Sequence, residues 1–145
     1  MSGLTVVLTG ATGFIGSAVL RELRRRRARH GLVIHTVGRR PPARPRAGER
    51  WTRADLAEPG TLAGVCAGAD VLLHLASLIG PDEERCAAVN TAGSAALMAQ
   101  ATRAGVGRIV HLSTAAVYGE GPHRGIAVGE VQPAPLSPAS RTRLA

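Results

Sequence analysis

The sequence feature that most limits the possible folds is a strand, turn and helix pattern at Leu4–Gly16, LTVVLTGATGFIG. An apolar run is followed by glycines at every third position (Gly10, Gly13 and Gly16) and then by a periodic segment. The pattern predicts a buried β-strand, a tight turn and a helix whose first backbone N–H groups are free. Such a helix N-terminus favours an anion, because the N–H groups and the helix dipole both attract negative charge. The spacing differs from the general G-x-G-x-x-G dinucleotide fingerprint, and a glycine-rich turn without a ligand is the alternative.

Composition indicates one globular domain and argues against nucleic acid as a partner. The chain has 145 residues, of which 45% are hydrophobic, which suits a single domain with a core. The net charge is +8 and every basic residue is arginine. Only 2% of the residues are aromatic, however, so the chain lacks the stacking side chains that a nucleic-acid binder interleaves with basic residues. We therefore expect no nucleic-acid partner.

Cysteine spacing and hydropathy bear on metals and on membranes. The two cysteines, Cys66 and Cys86, do not have the spacing of metal ligands, so we expect no metal site. No apolar run reaches the length of a membrane span, and no signal peptide precedes Leu4. We therefore expect a cytoplasmic protein without a membrane partner.

Strand and helix patterns alternate after the first turn. Apolar runs predict further strands at Leu32–Val37, Trp51–Leu56, Val71–Leu75 and Arg108–Ser113. Helical spacing predicts helices at Phe14–Arg29, Gly60–Ala67 and Pro81–Gly105, and another after Pro138. The alternation indicates an α/β fold of the Rossmann type, a doubly wound parallel sheet of about five strands with helices on both faces. Ligands of such folds bind at the carboxyl ends of the strands.

Two stretches predict irregular structure. The proline- and arginine-rich residues Arg40–Gly48 predict a surface loop. The glycines and prolines after Tyr118 predict a long irregular segment, which in a compact domain is usually functional or flexible.

Four stretches, in order, resemble the extended, epimerase/dehydratase-like branch of the short-chain dehydrogenase/reductase superfamily. They are TGATGFIG at Thr9–Gly16, the pair Asp55-Leu56, HLAS at His74–Ser77 and LSTAAVYG at Leu112–Gly119. Asn90 matches a further position of the family, on its long central helix. Members of this branch continue for roughly one more domain, which carries the substrate-binding part. The resemblance therefore implies that residues 1–145 are the dinucleotide-binding N-terminal part of a longer reductase.

The resemblance also implies which residues contact the cofactor. Those expected against the pyrophosphate are Gly10, Thr12, Gly13, Phe14 and Ile15. The adenine would be held by Asp55 and Leu56, with the Asp55 carboxylate accepting a hydrogen bond from its amino group. The wall beside the nicotinamide ribose would be formed by Leu75, Ala76 and Ser77. His74 resembles the histidine of the family's HxA motif, and we expect it to order the end of the strand.

The residues after the second strand bear on the choice between NAD and NADP. An acid at the end of this strand binds the ribose 2′-OH of NAD, whereas an arginine accommodates the 2′-phosphate of NADP. Here the acidic position is Gly38, and Arg39 and Arg40 follow it. Guanidinium groups bind a phosphate well and no carboxylate repels it, so we expect NADP (NADPH) in preference to NAD. The alternative is that these arginines belong only to the basic loop.

The chain departs from the family pattern at the proton donor. The resemblance implies a catalytic tyrosine in a helix that follows Ser-Pro, with a lysine four residues later. Ala139 and Arg143 stand at these two positions. An alanine cannot donate a proton, and an arginine stays protonated near neutral pH. Thr114, with Ser113 beside it, remains at the position of the hydroxyl that binds the substrate carbonyl.

Several functions fit this pattern, and we favour a ketoreductase that takes its proton from water or from a substrate hydroxyl. Positioning beside the nicotinamide supplies ~7–11 kcal/mol, while general acid catalysis adds roughly 10²–10⁴-fold, so an easily reduced ketone tolerates the loss of the tyrosine. A second possibility makes Tyr118 the acid, although its VYG turn is more simply structural. A third is a non-catalytic NADP-binding sensor or assembly protein, and a fourth is a sugar-nucleotide epimerase/dehydratase.

The arginine bias together with the missing tyrosine resembles the antibiotic-pathway ketoreductases that act on angucyclinones, as in simocyclinone biosynthesis. This resemblance implies a small-molecule ketone substrate, specifically a polycyclic aromatic polyketide.

Overall fold

One parallel sheet forms the centre of the protein. The computed structural model describes residues 3–44, 46–119, 133 and 135–144. Its strands are β1 (Thr5–Thr9), β2 (Val33–Gly38), β3 (Arg50–Arg53), β4 (Val71–His74) and β5 (Arg108–His111). They lie in the order β3-β2-β1-β4-β5, and every neighbouring pair is parallel. This is the strand order of the Rossmann fold, and it confirms the predicted fold class.

Helices pack on both faces of the sheet. They are α1 (Phe14–His30), α2 (Glu83–Cys86), α3 (Ser94–Arg103) and α4 (Pro138–Leu144), and a π-helical stretch, Ala87–Gly93, joins α2 to α3. Successive side chains of a strand point to opposite faces. Val7 of β1 accordingly packs in one buried cluster with Leu97 and Ala101 of α3, while Leu8 packs in the other with Leu20 of α1.

The prediction of a helix at Gly60–Ala67 is wrong. Residues Pro59–Leu62 form one 3₁₀ turn, and a series of turns follows it. Gly64 and Gly68 have φ values of +71° and +68°, in the left-handed region that a right-handed helix does not use. The apolar residues whose spacing suggested a helix are nevertheless buried in the core: Leu62, Val65 and Cys66.

The remaining predicted strands and helices are present, with shifted ends. The strand predicted at Trp51–Leu56 ends at Arg53, so that Asp55 and Leu56 lie in the loop after it. Most of the irregular segment predicted after Tyr118 lies outside the described residues, at positions 120–132 and 134.

His74 connects the two central strands to the helix layer. Its side chain is completely buried. Nδ1 shares a hydrogen bond of 2.7 Å with Thr9 Oγ1 on β1, and Nε2 shares one of 2.9 Å with Ser94 Oγ on α3. Burial, and to a smaller extent the neighbouring His111, lowers the pKa of His74 to about 4. His74 is therefore neutral at pH 7 and fixes the end of β4, as the sequence predicts.

We expect the fold to lose stability as the pH falls from 6.5 to about 4, the ordinary and the folded-state pKa of His74. In this range the unfolded chain binds a proton at His74 and the folded chain does not, so acid favours unfolding. The effect of this residue is at most about 3 kcal/mol in the free energy of unfolding. Urea unfolding across this pH range measures it.

A His74→Asn variant should show a shallower pH dependence of the unfolding free energy than the wild type. His30→Asn, at the exposed end of α1, is the matched control and should keep the wild-type dependence. Equal slopes for the wild type and the His74→Asn variant would contradict the assignment.

Candidate functional site

A cleft of about 350 Å³ lies at the carboxyl ends of the central strands. The connections from β1 and β4 run to opposite faces of the sheet, which opens a crevice between the two strand ends. All the residues predicted to contact a cofactor line this cleft, except Phe14 and Ile15: Gly10, Thr12, Gly13, Arg39, Arg40, Asp55, Leu56, Leu75, Ala76 and Ser77. Folding therefore gathers residues from four separate stretches of the sequence at one place.

The three glycines of the first turn have different roles. Gly10 has φ +74°, and a Cβ atom there would lie 2.6 Å from the backbone nitrogen of Ala76. A Cβ on Gly16 would collide with the carbonyl oxygen of Gly10. Gly13 is less restricted, because its φ is −80° and a Cβ would lie 3.3 Å from that same oxygen. The fold itself requires Gly10 and Gly16, whereas Gly13 keeps the floor of the cleft free of a side chain.

Phe14 and Ile15 do not line the cleft. Helix α1 begins at Phe14, with Gly13 as an N-cap that makes no side-chain hydrogen bond. The Phe14 side chain is 96% exposed and that of Ile15 is 49% exposed. The first N–H groups of a helix have no carbonyl partner within it. For these two residues, the predicted contact with a pyrophosphate therefore rests on their backbone N–H groups.

The loop after β3 holds Asp55 at the side of the cleft. One carboxylate oxygen of Asp55 accepts a hydrogen bond of 3.0 Å from the N–H of Ala57, and the Asp55 N–H donates to Thr61 Oγ1 at 2.9 Å. The next residue, Leu56, is close to the π-helical stretch, because a Cβ on Gly93 would collide with the Leu56 carbonyl. Within the described part of the chain, the second carboxylate oxygen of Asp55 stays available to a ligand amino group.

Asn90 holds the opposite wall of the cleft. Its Oδ1 accepts a hydrogen bond of 2.8 Å from the N–H of Leu78, and its Nδ2 donates to the Leu78 carbonyl at 2.9 Å. Nδ2 also donates to Thr142 Oγ1 of α4 at 3.0 Å. The amide thus fixes the segment that follows Leu75–Ser77 and ties it to α4. This contact gives a structural reason for asparagine at the family position noted in the sequence.

Arg143 reaches the edge of the cleft at Ser77. Its Nε donates a hydrogen bond of 2.9 Å to Ser77 Oγ, and a second guanidinium nitrogen contacts the same oxygen. Burial lowers the pKa of Arg143, but the guanidinium remains a cation near neutral pH. Ala139, one turn earlier on α4, is buried and carries no donor. The structure thus places a permanent cation beside the predicted nicotinamide wall, with a methyl group at the tyrosine position.

Thr114 and Ser113 do not line the cleft. They follow β5, which is paired with β4, so they lie at the neighbouring strand end. Thr114 Oγ1 accepts a hydrogen bond of 3.3 Å from the N–H of Ala116, at the start of the 3₁₀ turn Ala115–Tyr118. A hydroxyl has one donor hydrogen in addition to its acceptor lone pairs, so Thr114 can accept from Ala116 and still donate a hydrogen bond to another group.

Several residues that line the cleft were not predicted from the sequence. Arg85, Ala88 and Val89 line the cleft from the helical segment above it. Arg85 is three and four positions away from the other two, which puts them on one helix face. The sequence did not indicate that this face lines a cleft. Trp51 of β3 also lines the cleft and is 40% exposed. The only sign of this in the sequence is the position of Trp51 on the same predicted strand, four residues before Asp55.

Within the described ranges, no group of three or more His, Cys, Asp or Glu side chains is placed to hold a metal ion. In that same part of the chain, no helix combines the length and the apolar character needed to cross a membrane.

Comparison with known proteins connects this geometry to a family. Residues 6–145 match the family described as NAD dependent epimerase/dehydratase. The sterol demethylase protein B of Methylococcus capsulatus is 32% identical over 124 residues, which are 82% of this chain and 37% of that protein.

Two solved structures resemble the fold and share substantial sequence identity. A short-chain dehydrogenase/reductase superfamily protein from Agrobacterium tumefaciens with bound NAD is 30% identical, with a TM-score of 0.81 over 97% of this chain and 42% of that one. MoeE5 in complex with UDP-glucose and NAD is 33% identical, with a TM-score of 0.78 over 97% of this chain and 46% of that one.

The chain spans less than half the length of these relatives. Its strand order, its glycine turn and its match over residues 6–145 agree with one another. The chain belongs to the NAD dependent epimerase/dehydratase family.

Proposed function

We propose that residues 1–145 form the NADP-binding Rossmann domain of a longer, extended-type ketoreductase that uses NADPH. The observation that carries the proposal is the convergence of the glycine turn, the Asp55-Leu56 pair and the Leu75–Ser77 wall on one cleft. The similarity to a reductase-superfamily structure with bound NAD supports a dinucleotide as the ligand.

The cleft residues fit a dinucleotide chemically. Gly13 leaves the start of α1 uncovered, so that its backbone N–H groups and helix dipole can bind a pyrophosphate. Asp55 supplies an acceptor for the adenine amino group. Leu56 and Leu75 provide apolar surface on two sides of the same cleft.

The end of β2 favours NADP. Gly38 ends this strand, and Arg39 and Arg40 line the cleft directly after it. A 2′-phosphate gains guanidinium partners there, and Gly38 provides no carboxylate for the 2′-OH of NAD. NAD is the competing cofactor, because the similar solved structures hold it.

The residues at the strand ends favour reduction of a carbonyl group. A bound nicotinamide supplies the hydride for such a reaction. The Thr114 hydroxyl, whose oxygen accepts from Ala116, donates its proton in a hydrogen bond to the carbonyl oxygen, with Ser113 beside it. Neither Ala139 nor Arg143 can give up a proton near neutral pH. In this proposal the proton that completes the alcohol comes from water or from a substrate hydroxyl, and Tyr118 is the alternative acid.

A polycyclic aromatic ketone suits this chemistry. A phenol next to the carbonyl supplies the proton that the protein lacks, and conjugation makes the ketone easier to reduce. The resemblance to the angucyclinone ketoreductases favours the same substrate class.

A non-catalytic NADP-binding protein is the second candidate. The contact between Arg143 and Ser77 favours it, because two guanidinium nitrogens are engaged at the place where catalysis needs a proton donor. The similarity to MoeE5 with UDP-glucose is the reason to include sugar nucleotides among the substrates that are tested.

The first test compares two glycines of the same turn. Gly13→Ala should fold and lose about tenfold in NADPH affinity, about 1.4 kcal/mol, because a methyl group enters the phosphate-binding floor. Gly16→Ala should unfold at lower urea concentration, because its methyl collides with the Gly10 carbonyl. Equal losses of stability in both variants would contradict the separate roles of these glycines.

The second test concerns the cofactor. Arg39→Asp should raise the Kd for NADPH at least about tenfold and lower that for NADH, because the carboxylate repels a 2′-phosphate and accepts from a 2′-OH. Trp51 is the chain's one tryptophan and lines the cleft, so its fluorescence reports binding. Arg103→Asp on α3 is the charge control. Tighter binding of NADH than of NADPH by the wild type would exclude NADP as the preferred cofactor.

The third test concerns the reaction, followed as oxidation of NADPH by polycyclic aromatic ketones. Thr114→Ala should lower kcat by roughly 10²-fold while the Kd for NADPH stays unchanged, because the hydroxyl orients the carbonyl and not the cofactor. Tyr118→Phe should keep nearly full activity. Activity lost only in the Tyr118→Phe variant would make Tyr118 the acid. NADPH binding without turnover of any ketone or sugar nucleotide would favour the sensor.

A further inference from the structure

A second cavity, of about 380 Å³, lies between α1 and the loop that follows β2. Its polar lining is largely made of arginine: Arg21 and Arg24 from α1, and Arg44 and Arg46 from the loop. We call it the arginine cavity. Ala11 of the glycine turn lines both this cavity and the dinucleotide cleft, so the two are neighbours.

The loop beside the arginine cavity is fastened to α1. Arg24 donates to both carboxylate oxygens of Glu49, at 2.8 and 2.7 Å, and the two side chains are only 12% and 4% exposed. Arg24 also donates to the Arg44 carbonyl at 3.2 Å, and Arg27 donates to the Ala47 carbonyl at 2.8 Å. The stretch predicted as a surface loop is thus held against the helix by charge-assisted hydrogen bonds.

The charges around the arginine cavity are not balanced. Burial raises the pKa of Glu49, but the hydrogen bonds from Arg24 and the Arg46 N–H outweigh it, and the pKa lies below its ordinary value. Glu49 therefore stays ionised and neutralises Arg24. Among the described residues, no carboxylate lies within ion-pairing distance of Arg21, Arg44 or Arg46. Three arginines without a carboxylate partner among the described residues thus line one cavity, and their positive charge would attract an anion there.

Two of the arginines that line the cavity, Arg44 and Arg46, belong to the loop. Arg44 has φ +53°, which is uncommon for any residue other than glycine. The contacts of Arg24 and Arg27 with the loop hold this conformation. Leu20 and Pro42, which are both buried, add apolar surface to the cavity wall.

We propose that the arginine cavity is a binding site for a phosphate dianion. Planar guanidinium groups bind phosphate oxygens in pairs, so the arginines of this cavity suit such a ligand. Two sources of the phosphate share this chemistry. One is the 2′-phosphate of NADP, which rests on the proposed function and would then lie past Ala11 in this cavity instead of beside Arg39 and Arg40. The other is a free phosphate ion, which does not rest on the proposed function.

The test removes two guanidiniums that no carboxylate pairs with. Arg44→Asn keeps a residue that tolerates positive φ, and Arg46→Gln keeps the length of the side chain. This double variant should bind inorganic phosphate at least about tenfold more weakly than the wild type, by calorimetry at constant ionic strength. The matched control carries Arg29→Gln and Arg103→Gln, on exposed helix positions, and removes the same number of charges. It should bind phosphate like the wild type.

Titration of NADPH and NADH against Trp51 fluorescence distinguishes the two sources. If phosphate competes with NADPH but not with NADH, and the double variant loses its preference for NADPH, the cavity holds the 2′-phosphate. If phosphate binds without affecting either nucleotide, the cavity is a separate phosphate site. Phosphate binding without any nucleotide binding would overturn the proposed function and leave the cavity intact. The cavity itself is overturned if the double variant changes neither phosphate affinity nor nucleotide preference more than the control does.

Discussion

The close approach of Gly10 to the backbone of Leu75 and Ala76 is the contact on which the cleft depends. A Cβ atom at Gly10 would lie within 3 Å of both residues, so the turn after β1 and the end of β4 touch through main chain alone. His74, at the end of β4, supports the same two strands, because its buried ring joins Thr9 of β1 to the start of α3. The glycine turn and the wall formed by Leu75–Ser77 are therefore held next to each other at one edge of the sheet.

The sequence was informative where the decisive interactions are local. Strands, the first turn and α1 followed from residue spacing, because apolar periodicity and glycine positions determine these elements within a few residues. Spacing failed at Gly64 and Gly68, where apolar residues recur at helical intervals but the backbone turns left-handed. Periodicity records which side chains become buried, and turns can bury them as well as a helix can.

Long-range contacts could not be predicted from the sequence, and they determine the details of the site. Nothing near Arg143 indicates that it meets Ser77, which is 66 positions away. The loop predicted after β2 contains no sign that Arg24 and Glu49 fasten it. Arg85 lines the cleft because α2, which is paired with α4 through Glu83 and Arg141, lies beside the cleft. The residues that line the cleft could be named because a resemblance supplied this long-range information. The region of Ala139 and Arg143 departs from the family pattern and had no such guide.

The π-helical stretch Ala87–Gly93 constrains how this family member can change its length. It turns the Asn90 amide toward Leu78 and still leaves Leu97 and Ala101 fully buried on α3. A π-helix closes its hydrogen bonds from i to i+5 and holds more residues per turn than an α-helix, so this stretch sets the angle between the Asn90 amide and the buried face of α3. A change in the length of this segment would therefore affect both the cleft wall at Leu78 and the packing of α3, unlike a change of length in a surface loop.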